Sequence, residues 1–298
     1  MKRAVSVSLG SPSRDKRVEI ELLGEKVIIE RIGTDGDVEE ATRLYNKLDG
    51  KVDAFGVGGI DLWVGTAKRR YPLTAAHKMV RGVKKSPIVD GGGLKNTLER
   101  QAMHYVEAEL GDEISPKRAI NTAGIDRYGM AQGLVDAGYE TASCDLMFAL
   151  GIPIAIKSLR QLEVLAALLL PIVGRLPISV LYPTGEKQHE NIPRFTRWYE
   201  WATVIAGDCL YITRHMPPKL DGKTILTNTT TEEDVDLFRR AGVRHLVTTT
   251  PRLEGRSFGT NMMEAALVAV AGKGRPLRAA ELEEMITRLE LRPSITRF

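Results

Sequence analysis

The stretch Arg118–Asp145, RAINTAGIDRYGMAQGLVDAGYETASCD, constrains the fold more than any other part of the chain. Arg118–Ala123 is a short, mostly apolar run of strand length, and Gly124–Gly129 is a loop with glycine at both ends. The pattern then predicts a helix over Met130–Ala137, stopped by Gly138, and a second strand over Tyr139–Ser143 that ends near Asp145. Strand, loop, helix and strand make the minimal parallel crossover, which is right-handed in nearly all proteins. In a dinucleotide-binding fold the first loop lies over a pyrophosphate, because the free N–H groups and the dipole at a helix N-terminus favour anions. An acidic side chain roughly 20 residues on then takes the ribose hydroxyls. Asp145 holds that place relative to Gly124.

The usual Gly-x-Gly-x-x-Gly fingerprint is met only in part, since the middle glycine is absent from Thr122-Ala123-Gly124-Ile125-Asp126-Arg127-Tyr128-Gly129. Arg127 supplies positive charge that the backbone does not, and Asp126 repels a pyrophosphate. Two readings stay open. In one, Gly124, Arg127, Gly129, Asp145 and the later Thr249 bind a nucleotide cofactor. In the other, the segment is a structural crossover whose glycines serve turns and packing.

At 298 residues the chain is long enough for two domains. A polar stretch with a proline, Gly111–Lys117, is the expected hinge, giving an N-terminal α/β domain over 1–112 and a Rossmann-like domain over 113–298 with an insert around 146–202. The expected fold class is therefore α/β with two α/β domains, the second built on a mostly parallel sheet. The longest apolar run, Val164–Val173, is interrupted by Pro171 and is too short for a membrane span. The N-terminus alternates like a first strand rather than a signal peptide, and the expected location is cytoplasmic. A net charge of +4, with basic and acidic residues interleaved and no arginine-rich arm, does not point to nucleic acid. The two cysteines, Cys144 and Cys209, fit small buried packing residues in a reducing compartment.

In chain order the pattern predicts a strand over Ala4–Leu9, a hairpin of Val18–Leu23 and Val27–Ile32 around Gly24-Glu25, and a helix opened by Thr34 and Asp37 that runs to Leu48. Val52–Val57 is a strand, Leu73–Val83 a helix, Pro87–Val89 a strand and Leu94–Leu110 a helix after the triple glycine Gly91–Gly93. Gly151–Gly185 is apolar and covers a sheet edge or forms a homodimer surface. Thr184–His189 is an exposed loop. Phe195, Trp198, Tyr199 and Trp201 pack in a core. Strands over Thr203–Ala206, Lys223–Thr227 and Val243–Thr248 alternate with a helix over Glu232–Arg240, as in a second mononucleotide-like half. Helices over Met262–Ala271 and Ala279–Leu289 complete the chain.

Gly, Thr, Asp and Asn recur where strands end: Gly58-Gly59, Asp90–Gly93, Gly124–Gly129, Asp145, Gly207-Asp208, Asn228–Thr230 and Thr248–Thr250. In a doubly wound sheet these ends share one rim, where ligands bind. A lysine and a carboxylate facing one substrate hydroxyl suit hydride chemistry, the lysine stabilising the developing alkoxide while the carboxylate relays the proton. The candidates are Lys78, Lys95, Asp90 and Asp145, with His77 as a packing residue or a further acid–base group. Lys95, in the first turn after the triple glycine, is the better-placed anion ligand. Arg252 and Arg256, before a helix N-terminus, suit a carboxylate or phosphate. The scattered histidines give no metal site, and neither a nucleophile elbow nor a Walker loop is present.

The order of these motifs resembles the shikimate and quinate dehydrogenases, and the whole chain resembles a bacterial family catalogued as quinate 5-dehydrogenase. The resemblance is carried by Ser11-Pro12-Ser13, by Asp90-Gly91-Gly92-Gly93, by Gly124–Gly129 and by Thr249-Thr250-Pro251. That family's motif Asn-Val-Thr-x-Pro-x-x-Lys has no match here, so Lys78 and Lys95 are positional candidates. The resemblance implies an NAD-dependent oxidoreductase acting on a small anionic, hydroxylated carboxylic acid. Asp145 favours the cofactor without a 2′-phosphate, which its carboxylate would repel. Two other expectations stand beside it: a non-catalytic ligand-binding or regulatory α/β protein with a degenerate nucleotide crevice, and a transferase acting on a phosphorylated or nucleotide substrate.

Overall fold

A computed structural model describes residues 1–178, 191–250, 252–253 and 256–298. The strands are β1 (Lys2–Ser8), β2 (Lys16–Leu22), β3 (Glu25–Gly33), β4 (Ala54–Gly58), β5 (Trp63–Gly65), β6 (Arg70–Pro72), β7 (Ile88–Val89), β8 (Arg118–Asn121), β9 (Glu140–Ser143), β10 (Val204–Gly207), β11 (Thr224–Thr227), β12 (His245–Thr248), β13 (Arg252–Leu253), β14 (Arg256–Ser257) and β15 (Ser294–Arg297). The helices are α1 (Val38–Leu48), α2 (Thr74–Met79), α3 (Gly92–Asn96), α4 (Leu98–Leu110), α5 (Tyr128–Asp136), α6 (Asp145–Leu150), α7 (Leu159–Val173), α8 (Thr196–Trp201), α9 (Cys209–His215), α10 (Glu232–Arg240), α11 (Thr260–Ala271) and α12 (Ala279–Arg288). The expected loop over Thr184–His189 lies outside the described residues, as do Pro251 and the side chains of Arg252 and Arg256.

Among the described residues the strands form two main sheets, ordered β2-β3-β1-β4-β7 and β15-β12-β11-β10-β8-β9. The first is parallel except for β2, which forms the expected hairpin with β3; the second is parallel except for β15 at one edge. The fold is thus α/β with two parallel-rich sheets. In chain order the second sheet reads 2-1-3-4-5 with an antiparallel sixth strand, the flavodoxin-like arrangement, and not the two mirrored halves of a dinucleotide-binding sheet. Its direction of growth reverses between β8 and β10.

Side chains alternate across a strand, so each sheet fills two cores. In the second sheet Ala119, Val204, Ala206, Leu226 and Val247 face α4 and α5, packing on Met103, Val106, Met130 and Leu134. Ile120, Ile205, Ile225 and Leu246 face the other way, onto Met147, Tyr199, Ile212 and Phe238 of α6, α8, α9 and α10. Phe195, Trp198 and Trp201 pack on this second core, and Cys144 and Cys209 are free and buried within it, as expected. In the first sheet Val5, Val7, Phe55 and Val57 face Tyr45 of α1 and Met79 of α2. Ala4, Ile20, Ile29 and Ala54 face α11, which is apolar on nearly every side and buried almost throughout. α4 therefore packs with the second sheet although it precedes that sheet in the chain, and α11 packs with the first although it follows the second.

Several boundaries differ from expectation for physical reasons. Asp37, not Thr34, caps α1, its side chain accepting the Glu40 N–H at 2.8 Å. The predicted helix 94–110 is two helices, broken at Thr97 (φ −116°, ψ −78°). α2 stops at Met79, short of Val83. Asp145 is not the end of a strand but the first residue of α6. The stretch after α6 returns along the β9 edge, where Ser143 and Ile156 exchange backbone hydrogen bonds at 2.8 and 2.9 Å.

Candidate functional site

The first sheet contributes two loops to the site. After β4 the chain turns through Gly59 (φ +74°) to Asp61, then enters the β5–β6 hairpin. After β7, Asp90 gives its two oxygens to three backbone donors: Leu62 N at 2.8 Å, Trp63 N at 3.0 Å and Gly92 N at 2.9 Å. Asp90 therefore fastens the start of the hairpin to the start of α3. Gly91 (φ +92°) makes the turn with its backbone against α11, and a Cβ here would lie 2.8 Å from Asn261 N. Glu264 of α11, buried at 4% exposure, accepts the N–H groups of Gly93 at 2.9 Å and Leu94 at 3.4 Å. These contacts hold α3 and its Lys95 in place.

The second sheet contributes the loop after β8. The carboxylate of Asp145 accepts Gly124 N at 3.0 Å and Ile125 N at 2.8 Å, and this fixes the next residue, Asp126. Lys95 Nζ then lies between Asp61 Oδ1 at 2.9 Å and Asp126 Oδ1 at 2.8 Å. The lysine side chain is 10% exposed, Asp61 13% and Asp126 31%, so one end of the triad opens to solvent through Asp126. Burial opposes charge on Lys95, but Asp126 and Asp61 outweigh it and hold the ammonium well above its usual range. Burial also works to raise Asp126, and Lys95 outweighs it, so this carboxyl lies below the usual range. Asp61 goes the other way: burial and the neighbouring Asp126, to which it is hydrogen-bonded, push it well above the usual range against the pull of Lys95. A buried cation, a charged carboxylate and a carboxyl poised to keep its proton form a unit that can give and take one proton.

Arg127 turns inward. Its guanidinium binds Glu99 Oε1 on one side and Asp208 Oδ2, at 2.8 Å, on the other, and Asn228 Nδ2 donates to the same Asp208 oxygen at 3.0 Å. This network lies under the β8–β10 switch point, where open α/β sheets take ligands. There Gly207 (φ +144°) lies so close to β8 that a Cβ would come within 2.0 Å of Thr122 Oγ1. The phenol of Tyr211 is pushed up to about 12 by burial and by Asp126 and Asp208.

Of the residues expected from sequence, the structure brings Lys95, Asp90, Gly124, Gly129 and Asp145 to one cleft and gives most of them different tasks. Asp90 is a backbone clamp. Gly129 is a packing residue, since a Cβ would lie 2.1 Å from Lys95 O. Gly124 makes room for Ser143 Oγ and Asp145 Oδ2, at 2.5 and 3.0 Å from its would-be Cβ. Lys78 is on α2, on the opposite face of the first sheet, exposed beside a groove lined by Val38, Met79 and Ile178. Its neighbour His77 packs edge-on to Trp63 at 4.9 Å. Thr249 is fully buried, three strands from β8 and so about 14 Å across the sheet from the Gly124 loop. The loop does not offer a dinucleotide a free anion site. The two N–H groups a diphosphate needs are given to Asp145, Arg127 is paired, and a diphosphate fits only by displacing Asp145. Sequence reasoning missed Asp61, Glu99 and Glu264 as partners. Asp61 had a signal, its place after the strand-end Gly58-Gly59; buried glutamates on helices had none. Among the described residues no cluster of His, Cys, Asp and Glu suits a metal ion, and no helix is long and apolar enough to cross a membrane.

Burial, then the neighbouring Asp90, push Glu264 up to about 7 against its two backbone donors. A raised carboxyl contributes stability that is complete below its unfolded value near 4.5 and is lost as pH rises through 7. A shift of this size corresponds to about 3 kcal/mol. Glu264→Gln keeps an acceptor for Gly93 N and removes the charge. It is expected to lie within about 1 kcal/mol of the parent at pH 5 and to be more stable by about 2–3 kcal/mol at pH 8, read from urea unfolding at the two pH values.

Two parallel-rich α/β sheets whose carboxyl-end loops meet around a buried lysine define an α/β protein with a polar site between its two sheets. The chain belongs to a family described as a domain of unknown function (DUF8754), whose model matches residues 93–298; a second such domain (DUF8753) matches residues 3–90. No curated protein matches. Among solved structures, similarity is found to an NAD-dependent malic enzyme from Thermotoga maritima (12% identity, 96% of this chain and 84% of that one, TM-score 0.36). It is also found to an ABC transporter solute-binding protein from Burkholderia multivorans (12%, 99% and 97%, 0.38) and to another from Actinobacillus succinogenes with bound D-allose (10%, 100% and 98%, 0.38).

Proposed function

We propose that this protein is an enzyme of the oxidoreductase class acting on a small hydroxylated carboxylic acid of the quinate or shikimate type, with NAD as the acceptor. The observation that carries the reading is Lys95 held between Asp61 and Asp126 where the loops of the two sheets meet. In this reading Lys95 donates a hydrogen bond to the substrate hydroxyl oxygen as charge develops there. Asp126, ionised and partly open to solvent, accepts the proton, while Asp61 keeps its own and stays hydrogen-bonded to it. The test is a thermal-shift and turnover series on the purified full chain with NAD, NADP and simple phosphate, using quinate and shikimate as substrates. The expected result is a rise in Tm with NAD over NADP, since a ligand at 100 times its Kd adds about 2.7 kcal/mol, together with reduced nicotinamide formed on adding the acid. The reading is lost if no nucleotide shifts Tm and no acid is oxidised.

A specific observation favours a second reading, a non-catalytic ligand-binding protein: Asp145 takes the Gly124 and Ile125 N–H groups. Asp145→Ala separates the two. Under the first reading NAD draws the Asp145 carboxylate off the Gly124 and Ile125 N–H groups and onto its ribose hydroxyls, so the variant loses that contact and NAD binding falls at least about tenfold, the loss of a charge-assisted hydrogen bond. Under the second it frees the two donors, so that simple phosphate binds better than to the parent while NAD gains no selectivity.

A further inference from the structure

The β5–β6 hairpin stands over Lys95 and presents two different faces. Its register pairs Val64 with Tyr71 and Gly65 with Arg70. Val64 and Tyr71 turn toward α7, joining Ile125, Tyr128, Leu162 and Ala166. Trp63 and Arg70, diagonal neighbours on the other face, line the same groove as Lys95, Asn96, Asp126 and Tyr128. The Arg70 guanidinium lies 5.7 Å from the centre of the Trp63 ring, and Trp63, exposed at 40%, is fixed through its backbone by Asp90. Arg70 is exposed and forms no ion pair among the described residues. The nearest buried acids are committed elsewhere: Asp90 to Leu62, Trp63 and Gly92, and Glu264 to Gly93 and Leu94. The cluster at Lys95 is closed in charge, one cation with one carboxylate and one carboxyl that keeps its proton, whereas the guanidinium at the groove's mouth acts on Glu264 only at a distance and has no acidic side chain within ion-pair reach among the described residues.

We infer that Arg70 is the specificity residue of this site and takes the carboxylate of the substrate in a bidentate pair, with Trp63 as the apolar wall beneath the carbon skeleton and Lys95 facing the hydroxyl. The inference rests on the proposed acid–base role of Lys95 and adds to it the end of the substrate that the lysine does not touch. A planar guanidinium matches a carboxylate with two parallel N–H···O bonds, which an ammonium cannot do. Stacking on Trp63 restricts the arginine's rotamers and lowers the entropy lost on binding. The space enclosed between these side chains is about 20 Å³, room for about one water. Entry of an acid therefore requires the stacked Trp63–Arg70 side chains, both at the exposed mouth, to swing outward as a pair.

The experiment uses the full chain with quinate and shikimate and, as neutral probes, their methyl esters. Binding is measured by calorimetry and turnover with NAD. Arg70→Ala, and Arg70→Gln, which keeps a flat group over Trp63, are expected to weaken the acids by about 10- to 100-fold in Kd or KM. The esters change little, and Arg70→Lys falls between. Equal affinity of parent and Arg70→Ala for the acids overturns the inference, as does failure of the parent to bind any of them. The outcomes separate it from the reading it rests on. If the parent binds the acids in an Arg70-dependent way but oxidises none, the carboxylate site stands and the oxidoreductase reading falls. If the acids are oxidised with an unchanged KM in Arg70→Ala, the reverse holds.

Discussion

Lys95→Met is expected to cost about 3–5 kcal/mol of stability at neutral pH, because it leaves the Asp126 carboxylate, hydrogen-bonded to an Asp61 that keeps its proton, in a buried site without its cation. Met matches the aliphatic stem, so little packing is lost and the effect is electrostatic. Two further results follow from the same cause. The loss shrinks as pH falls, since protonating Asp126 removes the charge that the lysine had balanced. Adding Asp61→Asn and Asp126→Asn recovers most of the loss, because a buried ion cluster replaced as a whole by neutral groups of similar shape is far less costly than one broken by half. Urea unfolding of the single and triple variants at pH 5 and 7.5 reads all three. A loss below about 1 kcal/mol would mean that water screens the triad as it does a surface pair, and the case for a proton-transfer centre would go with it. Activity is the independent readout. Under the proposed function neither Lys95→Met nor the triple variant oxidises the acid, although the triple variant is folded.

What could be read from the sequence follows the reach of each signal. Period-2 and period-3.6 patterns are local, so β2–β3, α1, α10 and the β8–α5–β9 crossover were legible to within a residue or two. The sheet orders were not, since they depend on which apolar faces meet. Nothing in Thr260–Ala271 shows that it packs on a sheet formed from residues 2–89. Lys95 was legible as a site residue because a lysine after a glycine turn sits at a helix start. Its partners were not, because Asp61 and Asp126 are 34 and 31 residues away and are joined to it only by the closing of the two sheets. Asp145 shows the opposite failure. Its spacing from Gly124 fits a ribose ligand, and the same spacing also lets a carboxylate fold back onto the loop's own N–H groups. Spacing alone cannot tell a bound anion from a built-in one.

Gly129 carries the same ambiguity in a form that can be measured. As the last glycine of a nucleotide fingerprint, its replacement should cost ligand binding; as a packing residue, it should cost the fold. The geometry favours the second. A Cβ at Gly129 would lie 2.1 Å from Lys95 O, and one at Gly133 2.2 Å from Arg100 O, in both cases against backbone that cannot swing aside. Glycines four apart place both on one face of α5, and α4 and α5 share the core beneath the second sheet. Gly129→Ala and Gly133→Ala are each expected to destabilise by at least about 3 kcal/mol, more than offsetting the ~1 kcal/mol by which alanine improves helix propensity. Gly138→Ala is the control: Gly138 has φ +82° and nothing within 4 Å of its would-be Cβ, so only the backbone penalty of about 1–2 kcal/mol applies. Because Lys95 is the residue struck, any relaxation of α5 away from α3 also draws Asp126 from the lysine, and under the proposed function the Gly129 variant should lose turnover of the acid while the Gly133 variant keeps more of it. If Gly129→Ala instead unfolds at the parent's urea midpoint and loses only NAD binding, the glycine is a cofactor contact, and the loop opens to a diphosphate more readily than Asp145 allows.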